Sequence, residues 1–204
     1  MFKINIYLKF ALIAIFLGGG IILSFTYGIG YSWIFILVGI LLLLSYILLG
    51  TVQSAGEMIQ AMDFEGAEKR LNLTLNPKWL YVTNRAFYYI MKGSLAAQKK
   101  DNKVAEEYFN MALDLKLPSD NEKGMVLLQL ANINAQRNNW AGAGKYVKDM
   151  KKLNITEPTL KSQVDQFDQA YQNRGQMNTV RSMGKQGMQM LQGRSMKRRR
   201  PKMR

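Results

Sequence analysis

Hydrophobic and polar positions divide this chain into three stretches of different character. From Phe10 to Gly56 no side chain is charged, and two apolar runs dominate, FALIAIFLGGGIILSFT (10–26) and WIFILVGILLLLSYILLG (33–50). A helix crossing the ~30 Å hydrocarbon core needs about 20 residues. The first run reaches that length with Ile4–Leu8, Lys9 snorkelling; the second does so with Thr51–Val52. Between them YGIGYS supplies two glycines for a turn, and Tyr27, Tyr31 and Trp33 form an aromatic belt. The pattern predicts a two-helix transmembrane hairpin over residues 1–52. A cleaved signal peptide followed by a buried core helix competes with it, but a signal's apolar core spans only about 7–15 residues. Gly18-Gly19-Gly20 either admits a second helix at close range or marks a flexible spot. No ionisable group lies mid-membrane, so no proton or ion path is indicated.

Beyond residue 52 the pattern becomes amphipathic and repeats. Three fragments stack: DFEGAEKRL (63–71), DNKVAEEYF (101–109) and NNWAGAGKYV (138–147). In each, an Asp or Asn opens a short turn and a small residue follows, Ala67, Ala105 or Ala143, at intervals of 38 residues. A larger apolar residue comes four later, at Leu71, Phe109 and Val147; three further on stand Thr74, Ala112 and Met150. Twelve residues upstream of each Ala lies another small one, Ala55, Gly93 or Ala131. Self-similarity at a fixed period of this length predicts a helical solenoid. Small residues let the two helices of a unit cross closely, and larger ones one turn on fill the groove to the next unit.

Capping signals agree with this division. Ser119 with Glu122 forms a capping box before NEKGMVLLQLANINAQR, and Asn84 is placed to cap RAFYYIMKGSLAAQ. Thr156, with Pro158 just inside, opens a last helix over 157–173, whose stripe of Leu160, Val164, Phe167 and Tyr171 and polar outer face suit it to seal the solenoid. No Pro interrupts 28–76, so the second membrane helix is expected to run on into the first repeat helix.

The unit YYIMKGSLAAQKKDNKVAEEYFNMALDLKLP (88–118) resembles the tetratricopeptide repeat in Gly93, Ala105, Phe109, Ala112 and Pro118. The resemblance covers roughly 51–156. It departs from the family in its period, 38 against about 34. Lys92 and Ala96 replace a usual Leu and Tyr; Met58 and Asn134 stand at the aromatic place of the other units; Pro77 arrives early. Generic helical hairpins are the alternative. The resemblance implies a protein-interaction scaffold of about three helix-turn-helix repeats (53–156), its concave face lined by the first helix of each unit. Helical phase puts Phe87, Ile90, Ser94, Met125, Leu128, Asn132 and Gln136 on that face, as a partner groove or buried against a neighbouring unit. Some members clamp a partner's terminal carboxylate with Lys and Asn; the matching places here lack that set. A peptide or helix with an apolar face is the expected partner.

Charge decides the topology. The net charge is +14, of which residues 174–204 supply ten basic side chains and no acid. Residues 57–173 are nearly balanced, with sixteen basic and fourteen acidic side chains, and the hairpin loop has none. The positive-inside rule therefore puts both termini in the cytosol, on an inner (cytoplasmic) membrane. The tail, rich in Gly, Gln and Met, lacks aromatics and is expected to be disordered. Met177, Val180, Gly184, Met188 and Leu191 recur at helical spacing and could line an amphipathic helix. Arg194, Lys197, Arg198, Arg199, Arg200, Lys202 and Arg204 have two candidate targets, ribosomal RNA backbone or anionic lipid.

The chain has neither Cys nor His, which excludes thiol nucleophiles, disulfides, Cys/His metal sites and His-based triads. No phosphate loop or paired-carboxylate motif is visible, so no cofactor and no small-molecule substrate are expected. The sequence thus points to an all-α, non-enzymatic, membrane-anchored scaffold that contacts the ribosome or secretion and membrane-assembly machinery. The alternative is an accessory subunit acting through its hairpin inside a larger membrane complex, its tail on anionic lipid.

Overall fold

The structure, a computed structural model, describes residues 6–115 and 117–174. Lys3, the amphipathic stripe of the tail, and the basic residues Arg194, Lys197, Arg198, Arg199, Arg200, Lys202 and Arg204 lie outside the described residues. All regular structure among the described residues is helical. Two apolar helices come first, α1 (Ile6–Tyr27) and α2 (Ile29–Leu49). There follow α3 (Val52–Gln60), α4 (Phe64–Asn72), a 3-10 turn (Pro77–Trp79), α5 (Val82–Gln98), α6 (Asn102–Leu113), α7 (Asp120–Gln136), α8 (Trp140–Met150) and α9 over 158–174. The chain divides into two units, Met1–Val126 and Leu127–Arg204, with the division inside α7.

The two apolar helices pair side by side and are joined at Gly28. At 1.5 Å per residue each is about 32 Å long, a match to the hydrocarbon core. Gly20 lies against Ile36 and Gly39 against Leu17, so the backbones approach where a Cβ would not fit. Only 11% and 17% of the most apolar windows of α1 and α2 are buried within the protein. A core helix of a water-soluble fold would be covered on most sides; these are not.

The 38-residue period is visible in the backbone. Three paired helices end in the same turn: Met62, Lys100 and Asn138 have φ of 62°, 62° and 59°. In each turn the next residue's amide donates to a carbonyl five back: Asp63 to Met58, Asp101 to Ala96, Asn139 to Asn134, at 2.9, 3.0 and 2.8 Å. This is the Schellman closure of a helix C-terminus. That same Asp or Asn then caps the following helix, its side chain accepting from the amide of Gly66, Val104 or Gly142. One residue thus ends one helix and starts another, which explains why Asp or Asn marks each turn. The second helices begin at Phe64, Asn102 and Trp140, and α5 and α7 at Val82 and Asp120, all in the 38-residue register.

Packing follows the same register. Ala67, Ala105 and Ala143 are fully buried, as are Ala55 and Ala131. Gly93 carries the fully buried Phe109 ring directly on its α-carbon; a Cβ there would sit 2.8 Å from Cε1. The other units have Ala55 with Leu71 and Ala131 with Val147, so the bulk removed from one helix is supplied by the other. In the Met1–Val126 unit, Ala55, Ala67, Leu71, Leu80, Tyr88, Met91 and Leu95 form one core.

Three expectations change. The second membrane helix does not run on: it stops at Leu49, because Gly50 takes φ 63° and turns the chain before α3. Thirty-eight residues before Val82 is Leu44, so the first unit's leading helix is α2's last turn plus α3, broken at Gly50. Asn84 does not cap α5, which starts at Val82; its amide group donates instead to the Leu49 carbonyl at 3.0 Å. Ser119 does start α7 by accepting from the Asn121 amide at 3.2 Å, but its hydroxyl donates to the Glu122 carboxylate, so the box closes between side chains. The last helix begins at Pro158 as the Pro-at-N1 signal requires.

Candidate functional site

Four polar side chains of the hairpin, Lys9, Thr26, Ser32 and Ser45, find hydrogen-bond partners within it. Thr26 donates to its own helix at the Ile22 carbonyl, 3.1 Å away, and Ser32 turns back toward the Gly28 and Ile29 carbonyls. Lys9 Nζ reaches Ser45 Oγ at 2.9 Å, and the Phe10 and Tyr46 rings meet edge to face. These contacts bring the first turns of α1 beside the last turns of α2, at the end of the hairpin that carries the rest of the chain.

That end is a clamped elbow. The last carbonyls of a helix have no partner within it. Here Tyr46 O accepts from the Gly50 amide at 2.8 Å, Leu48 O from the Tyr81 amide at 2.9 Å, and Leu49 O from Asn84. Leu80 packs on Gly50, leaving no room for a side chain. The Tyr46 hydroxyl donates to the Leu73 carbonyl. Buried Thr51 donates to Arg70 O at 2.7 Å and pairs with the Thr74 hydroxyl at 3.0 Å. Arg70 in turn lies over the Tyr7 ring at 4.9 Å. Segments 46–51, 70–74 and 80–84 are tied together by backbone and buried side chains, so α4 and α5 are fixed to the end of the apolar hairpin.

The residues predicted to line the partner groove split. In the Met1–Val126 unit, Ile90 is buried at 4% exposure, while Phe87 and Ser94 are half-buried and Met125 is exposed. Ser94 donates back to the Ile90 carbonyl at 2.9 Å. In the Leu127–Arg204 unit, Leu128 is buried, Asn132 half-buried and Gln136 exposed. Ile90 and Leu128 are therefore core residues rather than groove lining. Helical phase alone did not separate them, because α5 and α7 bury more than one face. Phe87, Ser94, Met125, Asn132 and Gln136 remain accessible to differing degrees.

Two departures from the repeat pattern have local causes. Lys92 is half-buried, its ammonium pushed below the usual lysine range by burial, and donates to Asn72 Oδ1 at 2.6 Å. Beside it Lys99 holds Glu68 at 2.7 Å, and that hydrogen bond lowers the Glu68 carboxyl. Asn134 is buried; it donates to Leu130 O at 2.9 Å and accepts at 2.8 Å from Asn139, the residue that caps α8. An aromatic there could not brace the turn.

In the second unit α9 covers α8. The Tyr171 hydroxyl end lies on Gly144, its ring sits 6.4 Å from Trp140, and Arg174 stacks on it at 3.9 Å. Lys151 pairs with Asp168 at 2.8 Å, closing one side of a small cleft floored by Val147, Met150 and Val164. Among the described residues no group of three or more Asp, Glu, His or Cys converges as a metal site would require.

Sequence reasoning missed the elbow. Gly50 after the apolar run was a legible stop signal, but the pairing of Tyr46, Thr51 and Thr74 with residues some 20 to 30 positions away had no local signature. Comparison with protein-family models, with curated proteins and with solved structures finds no match in any of the three.

Proposed function

We propose that this chain is a membrane-anchored protein-interaction scaffold. In this reading α1 and α2 span an inner membrane with both termini in the cytosol. The hairpins that follow, similar to tetratricopeptide units, hold a partner, without catalysis. The observation that carries it is the elbow: a two-helix hairpin of bilayer length whose last carbonyls, of Leu48 and Leu49, are capped by Tyr81 and Asn84 at the start of α5. An anchor joined by a loose linker would restrict a partner to a volume. A clamped elbow presents α4 and the start of α5 at a set height above the lipid. The accessible residues Phe87, Ser94, Met125, Asn132 and Gln136 are the candidate partner contacts. The ten basic residues of 174–204 add a phosphate-seeking arm, directed at ribosomal RNA or anionic lipid.

Membrane integration is tested by alkaline extraction, where the chain must stay in the pellet. Topology is tested by protease added outside intact cells or spheroplasts, which must leave the C-terminal part intact. Mild-detergent purification with mass spectrometry then identifies the partner, and release into the alkaline supernatant refutes the anchor. Co-sedimentation with ribosomes at low salt, full-length against a chain ending at 193, separates RNA from lipid: equal pelleting removes the RNA reading.

The alternative, an accessory subunit acting through the hairpin, is favoured by Gly18 and Glu-free α1 around it: Gly18 and Gly19 face open space, with no atom within 4 Å of a would-be Cβ. Deleting 51–204 distinguishes the two, since a hairpin-driven subunit still co-purifies with its complex.

A further inference from the structure

Outside the hairpin, seven large hydrophobic residues are exposed among the described residues, and four of them, Leu75, Trp79, Tyr81 and Val82, fall in one eight-residue segment. Trp79 and Tyr81 are 56% and 63% exposed, Leu75 67%. Such clustering is not the scatter expected of a soluble surface. The segment has no long helix of its own; Asn76 caps the 3-10 turn by accepting from the Lys78 amide, and Leu80 points inward onto Gly50. With Leu80 buried, its neighbours Trp79 and Tyr81 are turned outward.

The position of the segment identifies what covers it. The Tyr81 amide bonds to Leu48 O, and Asn84 to Leu49 O, so the segment abuts the final turn of α2. Leu48 and Leu49 are themselves exposed, at 47% and 51%, continuing the apolar surface of the span onto the loop. A helix about 32 Å long that fills the hydrocarbon core ends at the level of the glycerol and headgroups. Trp and Tyr favour that level, their rings apolar and their N–H or O–H groups hydrated. Lys78 and Arg85 flank the aromatics, and Lys9 lies beside Ser45 at the same end of the hairpin, supplying positive charge where lipid phosphates are found.

We propose that Leu75, Trp79, Tyr81 and Val82 form an interfacial membrane contact that lays the first repeat unit against the lipid headgroups. The proposal rests on the hairpin spanning the bilayer. The occupant is the lipid surface itself, because the patch is continuous with the lipid-facing surface of α2 and carries the residue types of an interfacial belt. Its consequence is orientational: two helices and a loop restrain tilt of the first repeat unit in a way that a hairpin alone does not.

The test uses the full chain in vesicles of phosphatidylcholine and phosphatidylglycerol, with or without bromine on the acyl chains near the glycerol end. One variant keeps Trp79 alone (Trp33→Phe with Trp140→Phe), the other Trp33 alone (Trp79→Phe with Trp140→Phe). The expected result is bromine quenching of both, with Trp79 emission shifted to the blue. Quenching of Trp33 but not Trp79 overturns the interfacial contact and leaves the span intact; quenching of neither overturns both. The chain lacks Cys, so a spin label on Leu75→Cys gives a second reading with all three tryptophans in place. It must be relaxed more by oxygen than by a water-soluble nickel chelate, and the reverse order overturns the contact.

Discussion

Gly93 and Phe109 offer the sharpest check on how the repeat packs. A methyl group at Gly93 would lie 2.8, 2.9 and 3.1 Å from Phe109 Cε1, Cδ1 and Cγ, and Phe109 is fully buried. The ring cannot swing into solvent, so either α5 and α6 separate or the ring leaves its rotamer. Overpacking of this kind costs about 1–3 kcal/mol. Replacing Gly by Ala inside a helix returns about 1 kcal/mol. Gly93→Ala should therefore destabilise by about 0–2 kcal/mol, although propensity alone predicts a gain. Phe109→Leu should lose about 1–2 kcal/mol to a partly filled cavity. Combined, the two substitutions recreate the Ala55 and Leu71 combination of the first unit, where the methyl group occupies part of the vacated ring space. The double variant should approach the parent, with a favourable coupling of about 1–2 kcal/mol in a double-mutant cycle. Urea titration of the full chain in mild detergent, followed by far-ultraviolet circular dichroism and by hydrogen exchange in α5 and α6, measures the four corners. Additivity within about 0.5 kcal/mol, the range expected of independent sites, or a stabilising Gly93→Ala, refutes the size-exchange account.

Other consequences are simpler to state. Lys100 sits at φ 62°, where glycine is unstrained, so Lys100→Gly should stabilise by up to about 1 kcal/mol and Lys100→Val should destabilise, as read from thermal melts. Thr51→Val removes one of the two donors to Arg70 O, the Leu73 amide remaining, and takes the partner from the Thr74 hydroxyl, so it should cost about 0.5–1.5 kcal/mol, seen as faster tryptic cleavage after Arg70 and Lys78; an unchanged cleavage rate counts against the clamp. The Lys99 hydrogen bond holds the Glu68 carboxyl low, so its stabilisation is present above the ordinary carboxylate pKa and is lost as pH falls through the depressed value. Both partners are substantially exposed, at 60% and 34%, which keeps the effect below about 1 kcal/mol; Glu68→Gln should flatten the acid limb of the stability profile and reduce its salt dependence.

The hairpin and the repeat were legible for different reasons. An uncharged stretch from Phe10 to Gly56 has few physical solutions, and α1 and α2 contain the apolar runs, although α2 starts at Ile29 inside the expected YGIGYS turn, which shrinks to Gly28, and stops at Leu49. The 38-residue period was carried by Ala67, Ala105 and Ala143, since a fully buried helix crossing tolerates little besides a small residue. The left-handed residues were not legible: Met62 and Lys100 have no preference for positive φ and adopt it because the Schellman bonds and the following cap hold them there.

By itself, then, the sequence determined what depends on short-range pattern: which segments are helices, that Asp63, Asp101 and Asn139 mark the turns between them, and which stretch is long and apolar enough to cross a membrane. Only the tertiary structure decided that Asn84 caps α2 rather than α5, that Ile90 and Leu128 are core, and that Trp79 and Tyr81 gather at the end of the apolar hairpin. Those outcomes depend on which distant carbonyl needs a donor and which faces of a helix are covered, and neither is written in the spacing of residues along one helix.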